Sequence, residues 1–121
     1  MSLSISTRTI SPDITVIELE GRITLGKESS QIESFVLKAL SDGVRKLILD
    51  LTHVNYIDSN GIGIVTYCFA KAEKSGAVMT VAGARSLVLE VFKVTHVDSV
   101  IRFFPDVDAA ATSLGAPGTA T

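Results

Sequence analysis

At 121 residues, the chain holds one domain and little besides, since a domain takes roughly 100–150 residues. Its 46% hydrophobic and 20% charged residues supply enough apolar surface for a packed core and exclude wholesale disorder. Eleven Lys and Arg against thirteen Asp and Glu leave a formal charge of -2, without the basic excess that neutralises a phosphate backbone, so no nucleic-acid partner is expected.

Leu3 to Ile10 alternates Leu3, Ile5, Thr7 and Thr9 against Ser4, Ser6 and Arg8, the period-two pattern of a strand. Ser11-Pro12-Asp13 marks a turn, in which Pro12 fixes its own φ and Asp13 can bond nearby backbone. Ile14 to Leu19 is a second β-rich run ending at Gly21, and the short connection predicts an antiparallel hairpin. Ile32, Phe35, Val36, Ala39 and Leu40 then form an amphipathic helical stripe that Gly43 closes as a C-cap. Val44 to Leu51 carries Leu47-Ile48-Leu49, a short apolar run expected as a strand buried on both faces.

From Asp58 to Gly76 the helical period returns, with Ile64, Val65, Cys68, Phe69 and Ala72 on one side. Ala77 to Ala82 is the next strand, and Ser86 is expected to cap a third helix carrying Leu87, Val88, Val91, Phe92 and Val94. Val100 to Phe104 is expected as a short strand, and Pro105-Asp106 opens a last helix with Val107, Ala110, Ala111 and Leu114 on one stripe. Ala116 to Thr121 is small and polar and is expected to fray, so the domain is placed at residues 1–114 with a disordered tail at 115–121. Strands that alternate with helices after a hairpin imply right-handed crossovers. The expectation is a single α/β domain, a mixed, mostly parallel sheet with an N-terminal antiparallel hairpin and about four helices.

One cysteine, Cys68, cannot form an internal disulfide, and with two histidines it offers too few soft ligands for a structural zinc site. No apolar run approaches the roughly 20 residues of a membrane span, and Met1-Ser2-Leu3 lacks the layout of a secretory signal. A cytoplasmic protein without metal, cofactor or membrane partner is expected.

The most informative stretch is Asn55-Tyr56-Ile57-Asp58-Ser59-Asn60-Gly61-Ile62-Gly63, between a buried strand and a helix, where open α/β sheets place their functional loops. An Asp-Ser pair there can simply cap the helix. Asn60-Gly61 could form a hairpin turn, but the helical period that follows argues against it. Gly61-x-Gly63 is a fragment of a dinucleotide fingerprint, and no Gly-Lys-Ser/Thr supplies a P-loop. A nucleophile elbow needs glycine two residues before Ser59, where Ile57 stands, and no motif joins His53 or His96 to Ser59. An enzyme is therefore not expected. The stretch does offer a hydroxyl beside a carboxylate at the positive end of a helix. A phosphoryl group on Ser59 could be met by backbone N–H groups and the helix dipole, bringing about -1.5 to -2 charge beside Asp58. Along the outward face of the same helix lie Gly63, Thr66, Tyr67 and Ala70, with Lys74 at the far end, a small uncharged surface suited either to a partner or to another part of the chain.

Val44-Arg45-Lys46-Leu47-Ile48-Leu49-Asp50-Leu51 followed by Val54 to Gly63 resembles the strand and the Asp-Ser-x-Gly-Leu/Ile-Gly signature of STAS domains, the family of bacterial anti-sigma factor antagonists. Gly21-Arg22-Ile23-Thr24 occupies the place of that family's Gly-x-Leu-Asp segment. The resemblance runs to about Leu114. It implies that the unphosphorylated protein binds an anti-sigma factor and frees a sigma factor. The anti-sigma factor is often a serine kinase that uses ATP to phosphorylate the antagonist, and a serine phosphatase resets the cycle. Carried over, Ser59 is the phosphorylation site and Asp58 orients its hydroxyl. Asn60, Gly61, Ile62, Gly63, Thr66, Tyr67, Arg22 and Thr24 contribute to partner binding, with Gly61 and Gly63 permitting close backbone approach. The resemblance also admits a STAS subunit of another assembly, for lipid transport or stress sensing, and less readily a small serine-dependent enzyme. The protein is taken as a monomer when unbound.

Two departures bear on this implication. Many members carry a second hydroxyl residue after the first, sometimes as the acceptor, where this chain has Asn60; and the frequent Asp before the first helix is Thr24. Asp50, at the expected end of a strand, admits a response-regulator receiver, but the acidic pair and late lysine of such a site are missing, Arg102 standing on the last strand. His53 and His96 are expected in loops or at helix ends, Cys68 in the core, Lys71, Glu73 and Lys74 on a solvated face, and Phe103-Phe104 in an edge strand.

Overall fold

The computed structural model describes residues 3–10 and 13–115. Strands β1 (Leu3–Ile10), β2 (Ile14–Ile23), β3 (Lys46–Ile57), β4 (Val78–Ala82) and β5 (Phe103–Phe104) alternate after the hairpin with helices α1 (Lys27–Ser41), α2 (Ser59–Lys74), α3 (Ser86–Val94) and α4 (Val107–Ser113). The five strands form one sheet in chain order. Only the β1–β2 pair is antiparallel, and the remaining neighbours run parallel. Pro12 and the expected tail after Gly115 lie outside the described residues.

The alternation of side chains along a strand divides the core between two faces. Ile17, Leu19, Leu47, Leu49, Met79 and Val81 meet Ile32 and Val36 of α1, Val65, Cys68 and Ala72 of α2, and Val88 and Phe92 of α3. On the other face Ile14, Val16, Ile48 and Ala82 pack beneath Ala110 and Ala111 of α4. Leu47, Ile48 and Leu49 are each at most 1% exposed, as a central strand covered on both faces requires. Gly43 follows α1 with φ +93, and Gly43 N–H donates to Leu40 O at 3.1 Å, so the expected glycine stop sits one residue beyond the Asp42 C-cap.

Four expectations are corrected. β3 continues past Leu51 to Ile57, because its second half pairs with β2 alone: Glu20 opposes His53, Arg22 opposes Tyr56 and Ile23 opposes Ile57, with register shifts on the way. That extension is open on one edge and carries polar residues, so no apolar run announces it. His53 is accordingly a strand residue, and Asp50 lies within the strand, 8% exposed, with Oδ1 accepting from Thr52 N at 3.0 Å. A carboxylate held there is not the strand-end acceptor of a receiver. Third, the expected strand from Val100 shrinks to Phe103–Phe104. Val97–Ser99 forms a 3₁₀ turn, and Ile101 N–H donates back to Val97 O at 2.9 Å. Fourth, Ser86 does not cap α3. Arg85 occupies the N-cap without a side-chain cap bond, and Ser86 itself adopts φ +54.

Candidate functional site

The site forms where the ends of β2 and β3 meet the entrance of α2. Asp58 has the extended backbone of an N-cap (φ -109). Its Oδ1 accepts from Gly61 N–H at 2.9 Å, satisfying one orphan donor of the first turn. Its Oδ2 accepts a longer bond from Leu25 N–H at 3.4 Å, and its own N–H donates to Ile23 O at 3.2 Å. Asp58 thus couples the helix entrance to the segment between β2 and α1. Both carboxylate oxygens serve backbone donors rather than the Ser59 hydroxyl.

Gly61 is fixed by space. A Cβ there would lie 2.6 Å from both Ile23 O and Ile57 Cγ1, closer than carbon tolerates, so α2 reaches the end of β2 only through a glycine. Gly63 differs: beyond its chain neighbours and its own helix backbone, nothing among the described residues lies within 4 Å of a Cβ built on it. Ser59 and Asn60 are exposed on the first turn and Ile62 is half-buried against the core. The turn presents N–H groups and the positive end of the helix dipole beside an exposed hydroxyl.

The outward face of α2 matches the residues expected there. Gly63, Tyr67 and Ala70 are exposed and Thr66 is half-buried, its hydroxyl donating to Ile62 O at 3.1 Å and Gly63 O at 3.0 Å. Tyr67 is 42% exposed, with the Lys71 ammonium 5.5 Å from its ring centroid.

Register brings in the β2 residues. Arg22 opposes Tyr56, and its guanidinium stacks 4.2 Å from the Tyr56 ring centroid. Thr24 is half-buried, with its N–H bonded to the Oγ of buried Ser29 at 3.0 Å. Two residues of this surface escaped the sequence reading: Leu25, 77% exposed, and Tyr56, 41% exposed. The signal was present, a large apolar side chain in each of two polar connecting stretches, but only the β2–β3 pairing brings them to one place.

Among the described residues no hydrogen bond joins His53 or His96 to Ser59, and no group of three or more His, Cys, Asp or Glu is disposed to hold a metal ion. Burial, with a smaller contribution from Glu33, pushes the Cys68 thiol up to about 12, which makes it a core group and not a nucleophile. Among the described residues no helix is long and apolar enough to cross a membrane.

A model of the STAS domain matches residues 6–110, most of the chain. The chain belongs to the STAS domain family. Its fold is shared with an anti-sigma factor antagonist from Mycobacterium paratuberculosis, at TM-score 0.80 and 18% identity over 93% of both chains. It is also shared with SpoIIAA of Bacillus in its phosphorylated form, at TM-score 0.70 and 16% identity over 92% of this chain and 99% of that one. A sulfate transporter family protein from Wolinella succinogenes matches at TM-score 0.70 and 15% identity over 88% of each chain. At such identities the likeness is one of fold. This STAS domain is thus a five-stranded mixed sheet with four helices and a SpoIIAA-like fold, and its structural neighbours include anti-sigma factor antagonists.

Proposed function

We propose that this STAS domain is a phosphorylation-switched binding protein, an anti-sigma factor antagonist acting in the cytoplasm. In its unphosphorylated form it binds an anti-sigma factor that is also a serine kinase, and so frees a sigma factor. The observation that carries the reading is the α2 entrance, where an exposed Ser59 follows a cap carboxylate already engaged by backbone donors. The partner kinase transfers the γ-phosphoryl group of ATP to Ser59 Oγ. The new P–O bond forms as the bond to the β,γ-bridging oxygen breaks, ADP leaves and the hydroxyl proton is released. A serine phosphatase reverses the modification by hydrolysis. The antagonist itself needs no cofactor and performs no catalysis. Arg22, Thr24, Asn60, Gly61, Ile62, Gly63, Thr66 and Tyr67 form or shape the docking face, and Asp58 holds its frame.

Phosphate on Ser59 places about -1.5 to -2 charge next to Asp58, and like charge at a desolvated interface costs several kcal/mol, where about 1.4 is already tenfold in affinity. Incubation with the cognate kinase and ATP is therefore expected to add one phosphoryl group at Ser59, read by mass spectrometry. Ser59→Ala should retain its partner with or without ATP, and Ser59→Asp should release it. An unmodified Ser59 after that incubation, or equal affinity of the phosphorylated and unphosphorylated forms, refutes the switch. The Wolinella neighbour supports a second reading, a STAS domain that serves a membrane transporter, which would co-purify with that transporter instead.

A further inference from the structure

The arginines of the chain are engaged in different ways. Arg8 is ion-paired with Glu18 at 2.7 Å, Arg45 donates to Leu40 O and Val44 O, and Arg85 donates to Thr52 O. Arg22, beside the Ser59 turn, has no carboxylate partner among the described residues, and its guanidinium lies over the Tyr56 ring. A bulge makes that pair. Gly21 opposes Val54 and Arg22 opposes Tyr56, so Asn55 is the extra residue, and in an unbroken ladder Arg22 would face Asn55 instead. An aromatic face attracts the cation but supplies no oxygen acceptor, so the N–H fork stays available to a carboxylate, which it matches bidentately. The ring also holds the long side chain in advance, and less rotamer freedom is lost when something binds it. Neither neighbouring carboxylate fills the place: Glu20 makes no ion pair among the described residues, and both oxygens of Asp58 accept from backbone N–H groups. Around the pair, Leu25 is 77% and Tyr56 41% exposed. Leu25 is tied to the Ser59 turn through its N–H on Asp58 Oδ2, and Ile23, next to Arg22, accepts from Asp58 N–H.

We infer that Arg22, held on Tyr56, is the specificity-determining residue of the docking face and receives a carboxylate of the partner protein. The inference rests on the reading of the Ser59 turn as a docking site and adds the chemistry of what docks there. The occupant is an acidic surface of the anti-sigma factor, an Asp or Glu paired with the Arg22 fork and flanked by apolar side chains that cover Leu25 and Tyr56. Arginine and tyrosine are the residues in which interface hot spots are enriched, and an apolar surround keeps water off the pair, which makes it stronger than an exposed ion pair. A protein with a basic group at that position meets like charge and is rejected, so the one residue both selects and excludes. The sign also fits the switch, since phosphate on Ser59 adds negative charge to a face that otherwise offers a cation to an acidic partner. Arg102 provides the comparison. It too lies over a ring, 5.2 Å from the Phe104 centroid, but it precedes β5 at the far edge of the sheet, two strands from the β3 that leads into Ser59.

The probe is the purified kinase that modifies Ser59, titrated by calorimetry against the full chain in a Ser59→Ala background, so that ATP plays no part. Arg22→Gln should weaken binding about thirtyfold. Arg22→Lys, which keeps the charge and loses the fork, should weaken it about three- to tenfold, and Arg102→Gln should leave it unchanged. Circular dichroism and melting of the Arg22 variants should match the parent, because the residue is exposed. The parent's affinity should fall with salt more steeply than that of Arg22→Gln. Arg22→Glu should lose the kinase, and changing one Asp or Glu of the kinase to Arg should restore that binding while weakening the parent's. Parent affinity in Arg22→Gln, an equal loss in Arg102→Gln, or an Arg22→Glu that no such change in the kinase restores overturns the inference and leaves the Ser59 switch standing. A kinase that neither binds nor modifies the wild-type chain overturns the switch and the inference together.

Discussion

Helices α2 and α3 leave neighbouring parallel strands at the same end of the sheet, and each begins with an exposed serine. Their entrances are built on different terms. At α2 a side chain does the capping, Asp58 taking the Gly61 N–H, and Ser59 keeps an unstrained backbone. At α3 the cap position holds Arg85 without a side-chain cap bond, its guanidinium donating instead to Thr52 O at 3.0 Å. The chain turns there through Gly83 (φ +80) and Ser86 (φ +54). Each entrance also has a glycine pressed on a neighbouring strand. A Cβ at Gly61 would meet Ile23 O and Ile57, and one at Gly83 would collide with the Thr52 side chain and sit 2.8 Å from Thr52 N. A carboxylate cap therefore leaves its serine relaxed and presentable, whereas α3 places its serine in a conformation that non-glycine residues seldom adopt.

This contrast can be broken at either entrance. Gly83→Ala combines a left-handed backbone with a backbone collision and should cost the most, roughly 3–4 kcal/mol by urea denaturation. Gly61→Ala meets the collision without the left-handed backbone, so roughly 2–3 kcal/mol is expected. A loss for Gly61→Ala equal to that for Gly83→Ala would show that space alone sets both. Asp58→Ala removes the cap and should cost about 1–2 kcal/mol, while Asp58→Asn, which keeps an acceptor, should lose less. At the other entrance Ser86→Gly should raise stability by about 0.5 kcal/mol, relief of the left-handed serine outweighing the added freedom of the unfolded chain. If Ser86→Gly destabilises instead, the serine side chain has a role at α3 that the contrast denies it. The smallest change belongs to Ser59→Ala, within about 0.5 kcal/mol of wild type, since an exposed hydroxyl outside the capping scheme holds nothing in place.

The same contrast explains what could be read from the sequence. The α2 entrance was legible because it is local: Asp58, Ser59 and Gly61 lie within four positions, and the cap bond spans three residues. The amphipathic stripe of Val65, Cys68 and Ala72, the hairpin and the order of elements were legible for the same reason, each being written in a short period. The α3 entrance was misread because its geometry comes from Thr52, on a strand 33 positions earlier than Arg85. A serine before an apolar run resembles a cap, and only the contact with β3 displaces it. The second half of β3 was hidden because Thr52 to Tyr56 gains its strand character from pairing with β2. Leu25 and Tyr56 joined the site only through that pairing, and Gly63 was grouped with Gly61 because two glycines in one motif look alike in text while one is wedged and the other open.

Gly61 has a consequence for how such a domain can diverge. The groups that face outward near Ser59, Arg22, Leu25, Asn60 and Tyr67, are exposed and can be exchanged with little loss of folding, whereas residue 61 has no room to grow. The outward side chains around Ser59 can therefore be replaced one by one, while the post on which they are mounted has to keep its size.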